Sequence, residues 1–255
     1  MTKTERLPAS FRDPSGFLFY RSGVLYRQIN RAYEKDYARL MDSGLYEKLV
    51  KAGLLIPHVE SDQFLADAQR DLAPEKASGQ CERSRSAAFK VIQPERVSFI
   101  SYPYEWSFSQ LKDAALATLS IQKRALKHGM SLKDASAYNI QFVRGKATLI
   151  DTLSFEIYKE GEPWVAYRQF CQHFLAPLAL MSCCDVRLNQ LLRVYIDGVP
   201  LDLASRLLPA KTKLNFGLLS HIHLHAGAQK RYADQAVASR KGSLRMSQQA
   251  MIGLI

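Results

Sequence analysis

Between two helical stretches the chain carries a short hairpin, IQFVRGKATLID, which turns at Arg144-Gly145-Lys146 and ends its second strand on Asp151. An antiparallel return brings the end of the second strand back beside the start of the first. Asp151 is thereby carried toward Asp134 and Asn139, so residues distant in sequence are expected to converge. Strands precede this hairpin and helices dominate after it. That order is the α+β pattern of a two-lobed fold, with a small β-rich N-lobe and a helical C-lobe.

The upstream half reads accordingly. Residues 17–29, FLFYRSGVLYRQI, alternate loosely and break at Arg21-Ser22-Gly23, a hairpin signal. The next stretch, NRAYEKDYARLMDSGLYEKLVKAG, repeats apolar residues at helical spacing, with Asn30 as the expected N-cap, Gly44 as a break and Gly53 as the stop. LLIPHVES reads as extended, 61–87 as a helix followed by a mobile loop, and FKVIQP and RVSFISYPY as two short strands. A long helix is expected from about Ser107 to Lys127. After the second hairpin, WVAYRQFCQHFLAPLALM, DVRLNQLLRVYI, LDLASRLL and LNFGLLSHIHLHA read as helices. These boundaries give an N-lobe over 1–106, a C-lobe over 107–228, and a basic linker with the start of a helix over 229–255. Ser247 is the expected cap of that helix. It stops inside an apolar run, with Met251, Ile252, Leu254 and Ile255 given nothing to pack on, as in a fragment whose next domain is missing.

A hydrophobic fraction of 47% with 23% charged residues belongs to a globular chain. No stretch approaches the roughly 18 uninterrupted apolar residues of a spanning helix, and the N-terminus has no apolar signal core. A cytoplasmic location and no membrane partner are expected. Cys81, Cys171, Cys183 and Cys184 have no C-x-x-C spacing and read as reduced thiols. The formal charge of +11 is concentrated late. From Leu203 onward Arg206, Lys211, Lys213, Lys230, Arg231, Arg240, Lys241 and Arg245 face the single acid Asp234. Such a surface attracts polyanions, but it lacks the interleaved aromatics of a stacking platform, so nucleic acid is not the expected partner.

Phosphoryl transfer needs a carboxylate to orient or deprotonate the nucleophile, and an amide oxygen and second carboxylate to hold the metals that neutralise the phosphates. Asp134, Asn139 five residues later, and Leu149-Ile150-Asp151 supply those groups. This spacing resembles the catalytic loop and metal-binding strand of the protein-kinase-like superfamily, including the aminoglycoside-phosphotransferase branch, over roughly residues 15–225. The resemblance implies Asp134 as base, Asn139 and Asp151 as metal ligands, and Mg-ATP as cofactor. It places Arg27 in VLYR where the family has its phosphate-gripping lysine, with Glu47 as helix partner and Lys90 as the rival. FKVIQP and RVSFISYPY become the strands leading to a hinge at Tyr102–Trp106. There Tyr102 and Tyr104 either line a purine pocket or belong to the core.

The chain also departs from that family. Leu132-Lys133 stands where the family has His-Arg, Thr152-Leu153 where it has Phe-Gly, and the phosphate loop is reduced to Gly16 and Gly23. A second resemblance points elsewhere. SYPYEWSFSQLKDAALATLSIQKRALKHGMSLKDASAYNIQF and PWVAYRQFCQHFLAPLALM are similar to the front region of bacterial proteins, some nodulation-related, in which an S-adenosylmethionine-dependent methyltransferase domain follows. No acidic-G-x-G-x-G loop follows a strand here, so no site for that methyl donor is expected in this chain. Two readings stand: a nucleotide-binding phosphotransferase or degenerate relative, and a non-catalytic module that recruits substrate for, or regulates, a downstream methyltransferase domain. HIHLH sets His221 and His225 on one helical face, with packed or surface histidines preferred over a zinc pair.

Overall fold

The computed structural model describes residues 4–7, 13–61, 87–227 and 248–254. The helix and loop expected between 61 and 87, the linker after 228, the Ser247 cap and Cys81 lie outside the described residues. The chain divides into two units. The first comprises residues 1–98 with Asp151–Phe155, and the second comprises 99–150 with 156–255. The boundary falls at Ser98 rather than at 106, and a five-residue piece from beyond the second hairpin belongs to the first unit.

The first unit is built on a five-stranded antiparallel sheet. Its strands are β1 (Thr4–Arg6), β2 (Gly16–Arg21), β3 (Val24–Asn30), β4 (His58–Glu60) and β5 (Ala88–Pro94), in the order β1-β2-β3-β5-β4. The β2–β3 hairpin turns on Ser22 and Gly23, both with positive φ (51° and 78°). This is the two-residue turn whose twist matches that of the strands. Two helices, α1 (Glu34–Asp42) and α2 (Leu45–Lys51), separate β3 from β4, and Gly44 breaks them at φ 71°.

Because strand side chains alternate, β3 feeds two cores. Tyr26 packs with Phe17, Phe19, Ala88 and Val91, while Ile29 packs with Tyr33, Tyr37, Ile92 and Leu153. Arg27 shares its face with Ile29, two residues on. That is the face on which Leu153 lies.

Two expectations are corrected here. RVSFISYPY forms no strand; the chain has no regular structure from Glu95 to Tyr102, and Pro103–Glu105 is a single 3-10 turn. β5 ends at Pro94, whose nitrogen has no hydrogen to donate, and its outer edge is already taken by β4 from PHVES. Asn30 does not cap the helix either. It ends β3, its side chain accepts from Gln28 and donates to the Pro14 carbonyl, and a 3-10 turn intervenes before α1.

The second unit contains α3 (Phe108–Lys127), started by a capping box between Ser107 and Gln110. The strand β6 (Met130–Leu132) follows it. The hairpin of β7 (Ile140–Val143) and β8 (Lys146–Leu149) turns on Arg144 and Gly145, again with positive φ at both. The later helices occupy Tyr167–Cys183, Leu191–Val194, Leu201–Leu207 and 216–227. Those at 167–183 and 216–227 each contain a π-turn. The last helix, Gln248–Leu254, packs on α3 and buries Met251, so that residue has a partner within the unit. Among the described residues no cysteine is in a disulfide, and no helix is long and apolar enough to cross a membrane.

Candidate functional site

In the first unit the two groups singled out for phosphate and metal meet. Arg27 Nη1 lies 2.6 Å from Asp151 Oδ1, and its Nη2 lies 2.9 Å from Asp13 Oδ2. The Arg27 side chain is 13% exposed and that of Asp151 19%, so solvent screens the pair only in part.

Each carboxylate is fixed by its own turn. Asp151 Oδ1 also accepts the Leu153 N–H at 3.0 Å, and Oδ2 accepts the Ser154 hydroxyl at 2.8 Å. Asp13 Oδ1 accepts the Ser15 N–H at 2.8 Å in a turn that passes through Pro14. Leu153, buried among Ile29, Tyr33, Tyr37 and Ile92, ties the Asp151 turn to the sheet face that carries Arg27. Behind it the Tyr33 hydroxyl donates to the Phe155 carbonyl at 2.7 Å. Burial, with the Asp151 charge adding, raises the Tyr33 hydroxyl well above the ordinary phenol range.

Gly16 closes the other side. A Cβ there would stand 2.0 Å from the Gln28 carbonyl oxygen and 3.0 Å from Leu153 Cδ1. This glycine is required by close approach of the backbone, not by its φ.

Two carboxylates around one guanidinium leave one net negative charge, and the Arg27 Nε is buried without a hydrogen-bond partner. An ionised carboxylate has about four acceptor positions. Those of Asp151 and Asp13 left open are hard oxygen donors, of the kind that magnesium takes. The trio in this state suits a cation better than a bare phosphate.

Asp134 and Asn139 stand in the second unit, in a segment gripped by buried and half-buried side chains. Gln122 Oε1 accepts the Leu132 N–H at 2.7 Å, and the Leu132 carbonyl accepts from Trp164 Nε1 at 2.7 Å. Gln169 Oε1 accepts the Ala135 N–H at 2.6 Å. Asp134 Oδ1 accepts the Ser136 N–H at 2.9 Å, which makes it a turn-former as well as a candidate base. Ser136 Oγ in turn accepts the Tyr138 N–H. The Asn139 carbonyl accepts the N–H of Ile150, the residue before Asp151, at 2.8 Å. His173, 1% exposed, has its imidazole pushed down to about 4 by burial, which the charges of Asp134 and Asp197 only partly oppose.

The other nominated residues fall as follows. Tyr102 and Tyr104 stack on each other at 5.5 Å with planes 8° apart, and Tyr102 is 44% exposed. Glu47 is exposed on α2, and the carboxylates on Arg27 are Asp13 and Asp151 instead. Lys90 pairs with Glu60 at 2.5 Å, and Glu60 also accepts from the Tyr37 hydroxyl. The histidines of HIHLH are packed. His221 bonds to the Tyr167 hydroxyl, His223 to Ser205 and Thr212, and His225 stacks on Tyr167. No cluster able to hold a metal through three His, Cys, Asp or Glu side chains occurs among the described residues.

Asp13 was missed from the sequence. Its signal was the run Asp13-Pro14-Ser15-Gly16 ahead of a strand, legible as a turn but silent about which cation the carboxylate would meet. Gln122 and Gln169 were missed because a glutamine on a helix carries no motif, and Trp164, read only as part of a helix, lies ahead of the one that starts at Tyr167.

No known family profile matches this chain. It is similar to the nodulation protein NoeA of Rhizobium meliloti (strain 1021), with 34% identity over 230 residues. The match takes in 90% of this chain and 45% of that protein, so the chain spans about half the length of the curated relative.

Proposed function

We propose that the chain is a kinase-like module that binds a magnesium nucleotide, a phosphotransferase or a degenerate relative of one. The observation that carries this reading is the Arg27–Asp151 ion pair. The two residues were nominated from separate motifs, one as the phosphate contact and one as a metal ligand, and they lie against each other. Asp151, joined by Asp13, would hold the magnesium, and the bound ion would neutralise the phosphates. Arg27, given up in part by a carboxylate that turns to the metal, would face a phosphate oxygen with its planar fork. In support, the first unit holds the β2–β3 hairpin, the two helices and the strand β5 in the order expected of an N-lobe, without the strand expected over RVSFISYPY.

The reading commits to binding. Transfer is a further step, assigned to Asp134 as base, with Asn139 as a second metal ligand. If phosphotransfer is found, Asp134→Ala should abolish it while nucleotide binding persists. The test of binding is a thermal shift. The unfolding midpoint should rise with Mg-ATP and fall back when EDTA removes the magnesium. A midpoint unmoved by saturating Mg-ATP would contradict the reading.

A second reading is favoured by one observation, that the matched relative is about twice as long. Here the chain is a non-catalytic part of a longer nodulation-related protein and recruits substrate for, or regulates, a methyltransferase domain. Deleting this part from the full-length protein should then abolish methylation. Methylation unchanged by the deletion would dispose of it.

A further inference from the structure

The segment PAKTKLNF, residues 209–216, links the helix Leu201–Leu207 to the helix beginning at Phe216. It is a built turn. Thr212, 4% exposed, points inward, donates to the Pro209 carbonyl at 2.7 Å and bonds to His223 Nε2 at 2.9 Å. His223 Nδ1 is held in turn by the Ser205 hydroxyl at 2.8 Å. At the far end Asn215 caps the next helix, its side-chain oxygen accepting the Leu218 N–H at 3.0 Å and its carbonyl accepting the Leu219 N–H at 2.8 Å.

What this scaffold presents to water is apolar. Leu214 is 89% exposed and Phe216 is 83% exposed, the two highest values for large hydrophobic residues among those described. Lys211 and Lys213 are also exposed on the same turn. The sequence carries no acid from Leu203 until Asp234, and it adds Lys230, Arg231, Arg240, Lys241 and Arg245 further on.

We propose that this turn is a membrane-contact site, at which Leu214 and Phe216 enter the headgroup boundary of an anionic bilayer while Lys211 and Lys213 meet the lipid phosphates. Charge decides the class of partner. Apolar tips flanked by lysines match a surface that is negative outside and hydrocarbon beneath, and the lysine stems can reach back to the phosphates as the tips enter. Size agrees with it. Two projecting side chains cannot supply the roughly 800 Å² per partner that a stable protein interface buries, whereas a bilayer accepts a tip of any area. The expectation of no membrane partner came from the lack of a spanning segment, which a peripheral contact does not need.

The test uses the 255-residue chain with vesicles of phosphatidylcholine alone or with about one-third phosphatidylglycerol. The chain should float with the anionic vesicles and not with the neutral ones. Leu214→Ser with Phe216→Ser keeps every charge and should weaken that binding at least tenfold, with the circular dichroism spectrum and unfolding midpoint unchanged. In the F216W variant, emission should shift to the blue on adding anionic vesicles and be quenched by brominated acyl chains. Three results would overturn the proposal: no flotation of the wild-type chain, flotation that the double serine variant retains, or a dimer in solution that the same variant dissociates. The second would leave charge alone as the cause, and the third would make the turn a contact between copies.

Discussion

Arg27 on β3 and Asp151, carried back into the first unit after the second hairpin, are ion-paired at 2.6 Å, and Asp13 holds the other arm of the same guanidinium. Removing the cation from two partly buried carboxylates leaves them repelling each other without compensation. Arg27→Met should therefore destabilise the first unit by about 2 kcal/mol, discounted from a fully buried pair because Asp13 is 34% exposed. Arg27→Lys should cost less, but it cannot bridge both carboxylates with a planar fork. Urea unfolding of the three proteins measures the order, and equal midpoints would sink the argument.

Gly16 and Gly23 were both noted in the sequence as remnants of a phosphate loop, and the structure separates them. Gly16→Ala drives a methyl group into the Gln28 carbonyl, so a loss of about 3 kcal/mol or failure to fold is expected. Gly23→Ala meets nothing within 4 Å and suffers only its φ of +78°, a cost of about 1 kcal/mol. Thermal midpoints of the two variants check the contrast.

The grip on the Asp134 segment should show in hydrogen exchange. Gln122→Leu removes the acceptor of the buried Leu132 N–H, at a cost of about 2 kcal/mol. The Leu132 amide should then exchange faster, with little change at amides of β2 and β3. Unaltered protection at Leu132 would show that Gln122 is not what holds it.

Stability should fall in mild acid. The His173 imidazole titrates near 4 in the folded chain and near 6.5 when unfolded, because burial disfavours its cation. Its folded value is depressed. The unfolded chain therefore takes up the proton first as pH falls through 6.5, and stability is lost from there down to about pH 4. His173 can contribute about 3 kcal/mol across that window. His58, also lowered to about 4 by burial, acts in the same direction. Urea midpoints at pH 7 and pH 4.5 should differ, and His173→Gln should shrink the difference.

Both hairpins could be read from the sequence because their turns are spelled locally, as Ser22-Gly23 and Arg144-Gly145 between apolar runs. So could α3, whose cap and face lie within one stretch of chain. The strand expected over RVSFISYPY could not be judged locally. Whether β-branched and aromatic residues pair depends on a free edge, and β4 had taken the edge of β5. The same limit applied to the site. Arg27 and Asp151 were visible as residue types in suggestive places, but Asp13 required knowing which face of β3 the preceding turn would meet. Glu47 was chosen by helical position, and the ion pair went to carboxylates that the fold carried nearer.

The decisive comparison is a calorimetric titration of Mg-ATP into the wild-type chain and into Asp151→Asn. Asparagine keeps an oxygen for the Leu153 N–H but loses the charge that a metal needs. Magnesium-dependent binding is expected for the wild type and none for the variant, with both proteins folded by circular dichroism. Absence of binding by the folded wild type, or equal binding by the two, would rule out Asp151 as a magnesium-nucleotide ligand.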